Sequence, residues 1–198
     1  MRHGFHIAIF TSLVVVQPAC QPEPVPAEET NASELVLNAA GTPPAVFMFD
    51  DPPGTATYCV QLTDPKQIEH ARGLIAGTVK DAPHIQGKII KSRAPYNQQW
   101  HSQIDPATAS FFSNAMEVCD ATIPYLEDHL SEACGAFLPG CAWCPWASRL
   151  LQEVPTSCPA LWNPVCGSNG RTYSSACTAL AACVPVACNG MCPCLPKK

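Results

Sequence analysis

Cys158-Pro-Ala-Leu-Trp-Asn-Pro-Val-Cys166-Gly-Ser-Asn-Gly-Arg-Thr-Tyr173-Ser-Ser-Ala-Cys177 is the stretch on which the architecture of this chain turns. Seven residues separate its first two cysteines and ten the next pair, and Cys183 and Cys192 follow. Asn169-Gly170, set between Val165-Cys166 and Thr172-Tyr173, is a strong two-residue hairpin signal, because both turn positions want positive φ. Ser174 or Ser175 can cap a short helix carrying Ala176, Ala179, Leu180 and Ala182. One hairpin and one short helix in about 40 residues bury too little apolar surface to fold alone. Disulfides must hold the segment.

Thirteen cysteines in 198 residues point to an oxidising compartment. The N-terminus agrees: Arg2, His3 and His6 precede the apolar run Ile7 to Val16, and Ala19 stands before Cys20, so residues 1–19 read as a signal peptide. The run is shorter than the roughly 20 residues a membrane-spanning helix needs. Cys20 stands where bacterial lipoproteins are acylated after cleavage, which predicts membrane anchoring through lipid, although Gln17 and Pro18 depart from the usual residues before that cysteine. The alternative is that Cys20 is discarded with the signal. Residues 20–44 form an acidic, proline-rich tether. A net charge of -5 with 14% charged residues leaves no basic stripe for phosphates, which excludes nucleic acid as a partner.

Residues 45–153 have enough length for one ordinary core. Val46 to Phe49, Tyr58 to Leu62 and Gly87 to Lys91 read as strands. Asp64-Pro65-Lys66-Gln67 supplies an N-cap, a first-turn proline and a third-position glutamine, so a helix starts there; Ile68, Ala71, Leu74 and Ile75 give its apolar stripe and Gly77 its end. A second Asp-Pro start at Asp105-Pro106 predicts a longer helix through Phe112, Ala115, Met116 and Cys119. Pro124 interrupts it, leaving either a kink or a new helix over Tyr125 to Leu130. The mixture makes an α+β fold.

Leu62-Thr-Asp-Pro65, Ile90-Lys-Ser-Arg-Ala-Pro-Tyr-Asn97, Phe111-Phe112, Glu117-Val-Cys-Asp-Ala121 and Phe137-Leu-Pro-Gly140 with Trp143-Cys-Pro-Trp146 resemble a domain of bacterial extracytoplasmic proteins related to the N-terminal domain of the slime-mould protein BP seventy-four. That resemblance implies a domain over residues 45–153 and no particular chemistry or partner. Residues 154–198, by the cysteine spacing, Asn169-Gly170 and Tyr173, resemble the disulfide-rich Kazal-type domain of serine-protease inhibitors.

The Kazal resemblance implies bonds Cys158–Cys177 and Cys166–Cys192, and Cys183 reaching back to Cys144 or Cys141. Loops of this length are each worth about 3 kcal/mol. Cys188 and Cys194 are then free to pair. It further implies a substrate-like reactive loop of Cys158, Pro159, Ala160, Leu161, Trp162 and Asn163, with Ala160 in the primary specificity pocket and Ala160–Leu161 as the reactive bond. A methyl group suits an elastase-like or subtilisin-like serine protease, not trypsin. Ser175 stands where many such inhibitors carry an asparagine that braces the loop.

Two rivals come from other classes. One is a non-inhibitory surface recognition protein that uses the module as a scaffold. The other is a redox enzyme using Cys141-Ala-Trp-Cys144, which would need a low-pKa thiol at a helix N-terminus; paired structural half-cystines are the plainer reading. Cys188-Asn-Gly-Met-Cys192-Pro-Cys194 has the wrong spacing for zinc. GxSxG, HExxH and phosphate-loop patterns are missing, so the chain is read as a non-enzyme with no cofactor and no metal. Lys88, Lys91 and Arg93 with Tyr96 and Trp100 make a possible ligand-facing patch.

Overall fold

The run Val46-Phe47-Met48-Phe49 lacks polar alternation, the pattern of a strand buried on both faces. In the computed structural model, which describes residues 41–114 and 117–194, it lies in β1 (Ala45–Asp50), the middle strand of a sheet with β2 (Thr57–Leu62) and β9 (Arg149–Val154). Both pairings are antiparallel; Ala45 faces Leu62 and Asp50 faces Thr57. The expected signal peptide, Cys20 and the expected tether up to residue 40 lie outside the described residues. All those described belong to one compact unit.

Side chains alternate across a strand, and the two faces of β1 enter different cores. Phe47 and Phe49 join Tyr58, Val60 and Leu62 in the main core. Met48 faces the other way, with Cys59, Val154 and Cys183. The main core is closed by α1 (Pro65–Ala76) and by β3 (His84–Ile90), which pairs with β4 (Gln103–Ile104), β5 (Ser110–Phe112) and β8 (Ala142–Trp143). Trp143 sits at the centre: its ring lies 5.2 Å from Tyr58 and 6.0 Å from Phe49, and its indole N–H donates to the Ala121 carbonyl at 2.8 Å.

Helix α1 follows its boundary signals, whereas Ile75 of the expected apolar stripe is 37% exposed and Leu74 half-buried. The Asp64 carboxylate accepts from the Lys66 N–H at 2.9 Å, Pro65 occupies the first turn, Ile68 and Ala71 are buried, and Gly77 closes the helix at φ 73°. The predicted helix from Asp105 to Cys119 is corrected. Asp105 accepts from Ala107 N–H through its side chain and from Thr108 N–H through its carbonyl, closing a turn. Ser110-Phe111-Phe112 then pairs with His84–Gln86, because an aromatic segment gains more as a strand beside β3. A 3-10 turn at Glu117–Cys119 is all the helix found there, and Ala115 and Met116 lie outside the described residues. Pro124 occupies the first turn of a new helix, α2 (Ile123–Asp128), capped by Thr122. The short β6 (Ala133–Cys134) and β7 (Phe137–Pro139) pair beside it.

The C-terminal segment centres on β10 (Val165–Gly167), flanked by β11 (Thr172–Tyr173) and β12 (Val186–Asn189) and covered by α3 (Ala176–Ala181). Its hairpin is not the two-residue turn expected. Gly167 and Arg171 bracket a three-residue loop in which Gly170 alone takes positive φ, at 74°, so the glycine is required and Asn169 is not strained. Ser175 caps α3 in a reciprocal pair with Thr178. The chain is thus α+β with a disulfide-rich C-terminal module. Among the described residues no helix is long and apolar enough to cross a membrane.

Candidate functional site

Val154 ends β9 buried, and the chain then emerges into solvent. Cys158 is tied to Cys177 in α3, with Cα atoms 5.7 Å apart; Cys166 in β10 is tied to Cys192, at 4.8 Å. Between these anchors Pro159 to Asn163 are exposed, with Leu161 65% and Trp162 72% accessible. The Leu161 N–H donates to the Pro159 carbonyl at 2.8 Å, and the Asn163 N–H to the Ser174 carbonyl at 2.9 Å. The segment is therefore pinned at both ends and presents two large apolar side chains to water. Among the described residues no side chain hydrogen-bonds to Ala160, Leu161 or Trp162. Ser175 is occupied elsewhere: its hydroxyl accepts from the Thr178 N–H at 3.2 Å.

Cys183 does not pair with Cys144 or Cys141. It is bonded to Cys59 of β2, 124 residues earlier. The physical reason is the sheet's outer face: Cys59 points away from Tyr58 and Val60, into the small core where Cys183 and Leu180 cover Met48. Cys141 and Cys144 belong to another layer, bonded to Cys134 and Cys119 respectively. The Gln99 amide strengthens the same junction, donating to the carbonyls of Thr57 at 2.9 Å and Cys183 at 3.0 Å.

The other sequence candidates separate. The Cys141-Ala-Trp-Cys144 pair is split between two disulfides, and Pro145-Trp146 opens no helix, so the arrangement lacks the features of a redox pair. The Sγ atoms of Cys166, Cys188 and Cys194 lie within 4.8 Å of one another, yet each is in a disulfide, Cys188 with Cys194, and none offers a thiolate. The Lys88–Trp100 patch does not form: Trp100 donates inward to the Thr57 carbonyl at 2.7 Å, Tyr96 packs against the Met48–Cys183 core, and Lys91 reaches the Ser131 carbonyl. Burial carries the Tyr96 hydroxyl up to about 12 and that of Tyr58 well above its ordinary value. Neither is a base at neutral pH.

Two features escape a reading of the sequence. Cys59 is hidden inside an apolar strand, although a cysteine on the opposite face from Tyr58 and Val60 signals a second buried surface. Arg171 looks like hairpin filling, although it stands beside the segment that leads into the exposed loop.

Residues 43–157 match the family described as the BP seventy-four N-terminal domain, and residues 151–190 match the Kazal-type serine protease inhibitor domain. The two matches overlap where β9 leaves the first sheet and becomes the approach to Cys158. No curated protein and no solved structure matches the chain.

Proposed function

The chain belongs to the BP seventy-four N-terminal domain family and carries a Kazal-type domain, and from that premise we propose that it is a non-enzymatic, extracytoplasmic inhibitor of a serine protease. Kazal-type domains bind serine proteases, and six disulfides suit an extracellular protein. The observation that carries the finer reading is the exposed Pro159–Asn163 segment held between two disulfide anchors.

A protease would take this segment as substrate, with Ala160 in its primary pocket and Ala160–Leu161 at its nucleophile. Pinning at Cys158 and Asn163 meets the ordering cost before binding, and it keeps both ends in place if the bond is cut. The Ala160 methyl fits a shallow elastase-like or subtilisin-like pocket. In a pocket built around a buried carboxylate it leaves that charge unpaired. The second reading, a recognition protein using the module as a scaffold, is favoured by the commitment of Ser175 to its own helix, which leaves the loop without a side-chain brace. Acylation at Cys20 would tether either protein to a membrane, and the mass of the mature N-terminus tests it.

Titration of the purified protein against pancreatic elastase, subtilisin and trypsin separates the readings. Inhibition of the first or second, with trypsin untouched, is expected. Ala160→Arg should transfer inhibition to trypsin. Failure to inhibit any of the three at micromolar concentration, with Ala160→Arg equally inert, leaves the recognition reading.

A further inference from the structure

Residues Pro155 to Cys158, on their way to the exposed loop, form one side of a cleft of about 670 Å³. The first domain lines it through Arg93, Gln98 and Gln99, and the C-terminal module through Arg171 and Tyr173. It exists because the Cys59–Cys183 bond and the Gln99 amide hold the module against β2. Neither domain builds it alone.

The whole chain carries a net charge of -5, yet the charged side chains lining this cleft are two arginines and no carboxylate. Among the described residues neither Arg93 nor Arg171 has an ion-pair partner, whereas Arg72 and Arg149 both have one. Arg93 spends its donors on the Gln98 carbonyl and His101 Nε2 rather than on a carboxylate. Two uncompensated cations on one cleft of an acidic protein attract an anion, and hydroxyl and amide groups of Ser157, Thr178 and Asn169 stand beside them. What arrives there is set by continuity. The segment lining the cleft runs within two residues into Ala160, so an enzyme holding the loop comes within reach of the cleft.

We propose that the Arg93–Arg171 cleft is a second contact surface for the protease held by the loop, fitted to an acidic segment of that enzyme's surface. This rests on the inhibitor reading. Charge complementarity of this kind acts mostly on the association rate, by about tenfold or more at low salt.

The probes are native elastase and elastase succinylated on its surface lysines, which changes cations into carboxylates. Association rates are measured for the unaltered protein, for Arg93→Glu/Arg171→Glu, and for Lys66→Glu/Lys80→Glu, an equal charge reversal at exposed positions outside the cleft. With succinylated elastase at about 0.01 M salt, where screening extends about 30 Å, the arginine variant should associate about tenfold more slowly than the unaltered protein. The lysine variant should lose less, and the difference should vanish at about 1 M salt, where screening is about 3 Å. Equal rates for the arginine variant and the unaltered protein, or equal losses in both variants, overturn the cleft while loop inhibition stands. No inhibition of either elastase by any of the three overturns the inhibitor reading for these enzymes, and the cleft with it.

Discussion

Cys59 and Cys183 are bonded across the outer face of the first sheet, with their Cα atoms 5.9 Å apart and both side chains fully buried. The bond makes the C-terminal module part of the core of the domain before it, because its sulfurs pack with Met48 and Val154. A disulfide that closes so long a loop removes much denatured-state entropy. Replacing both cysteines, Cys59→Ala/Cys183→Ala, should cost about 2–5 kcal/mol, read from the denaturant midpoint. Limited proteolysis should then cut between Val154 and Cys158 while the Phe49–Tyr58–Trp143 core stays protected. An unchanged midpoint would show that the packing holds the module without the bond.

Ser175 decides between capping a helix and bracing the loop, and here it caps. Ser175→Ala removes the acceptor for the Thr178 N–H and should cost about 1 kcal/mol of stability. Ser175→Asn keeps a good capping residue and is expected to offer its amide N–H to the loop. One added net hydrogen bond of about 1 kcal/mol amounts to about fivefold tighter inhibition of elastase and slower cleavage at Ala160–Leu161. Tighter binding by Ser175→Ala would sink this account of the loop.

What can be read from the residues is local. Asp64-Pro65 and Gly77 bound α1 because the cap, the proline and the left-handed glycine act within one turn of chain. The spacing around Cys158 and Cys166 is legible for another reason, its likeness to a known disulfide scaffold. Non-local competition is not legible: Asp105-Pro106 opens a helix only if nothing better is offered, and β3 offers Ser110–Phe112 a strand partner. Cysteines near the domain junction look like natural partners for Cys183, whereas its partner is fixed by which face of β2 turns outward. The Arg93–Arg171 cleft is invisible for a related cause, since its walls come from segments far apart in the chain that this bond, the Gln99 amide and the Met48 core bring together.

Gly167 tests how closely the module is packed. A Cβ at this position would lie 2.7 Å from both Tyr173 Cε2 and Val184 Cγ1 and 2.9 Å from Asn169 Oδ1. Tyr173 lies in the small sheet, Asn169 in its hairpin, and Val184, buried between α3 and β12, packs against them, so room for a Cβ needs all three to shift. Gly167→Ala should destabilise by about 1–3 kcal/mol through overpacking, measured by thermal melting. Protease inhibition should weaken in parallel, because Cys166 anchors the loop next door. A stability gain, the usual result of Gly→Ala at an open site, would contradict the close contact.

Asp51 gives a pH dependence of defined sign. It is 1% exposed and its Oδ2 has no hydrogen-bond partner. Burial first, then the charges of Asp120 and Asp50, push its carboxyl up to about 6, against a partial offset from the Ala147 backbone. The native state therefore holds this proton more tightly than the unfolded chain does. Its contribution is fully present below the ordinary carboxyl value of 3.8 and is lost as pH rises through about 6. Asp51→Asn keeps the shape without the charge, so at about pH 7 it should be more stable than the unaltered protein by about 1–3 kcal/mol, with the gap closing at about pH 4. Glu153 works in the opposite direction, held below its usual value by hydrogen bonds from Arg72. Its stabilisation is present above the ordinary glutamate value and lost in acid, but the pair is 53% and 38% exposed and contributes little. Both proteins should share that acid limb. Melting curves across this range decide the matter, and a constant difference between the two at every pH would mean that the Asp51 proton is not the cause.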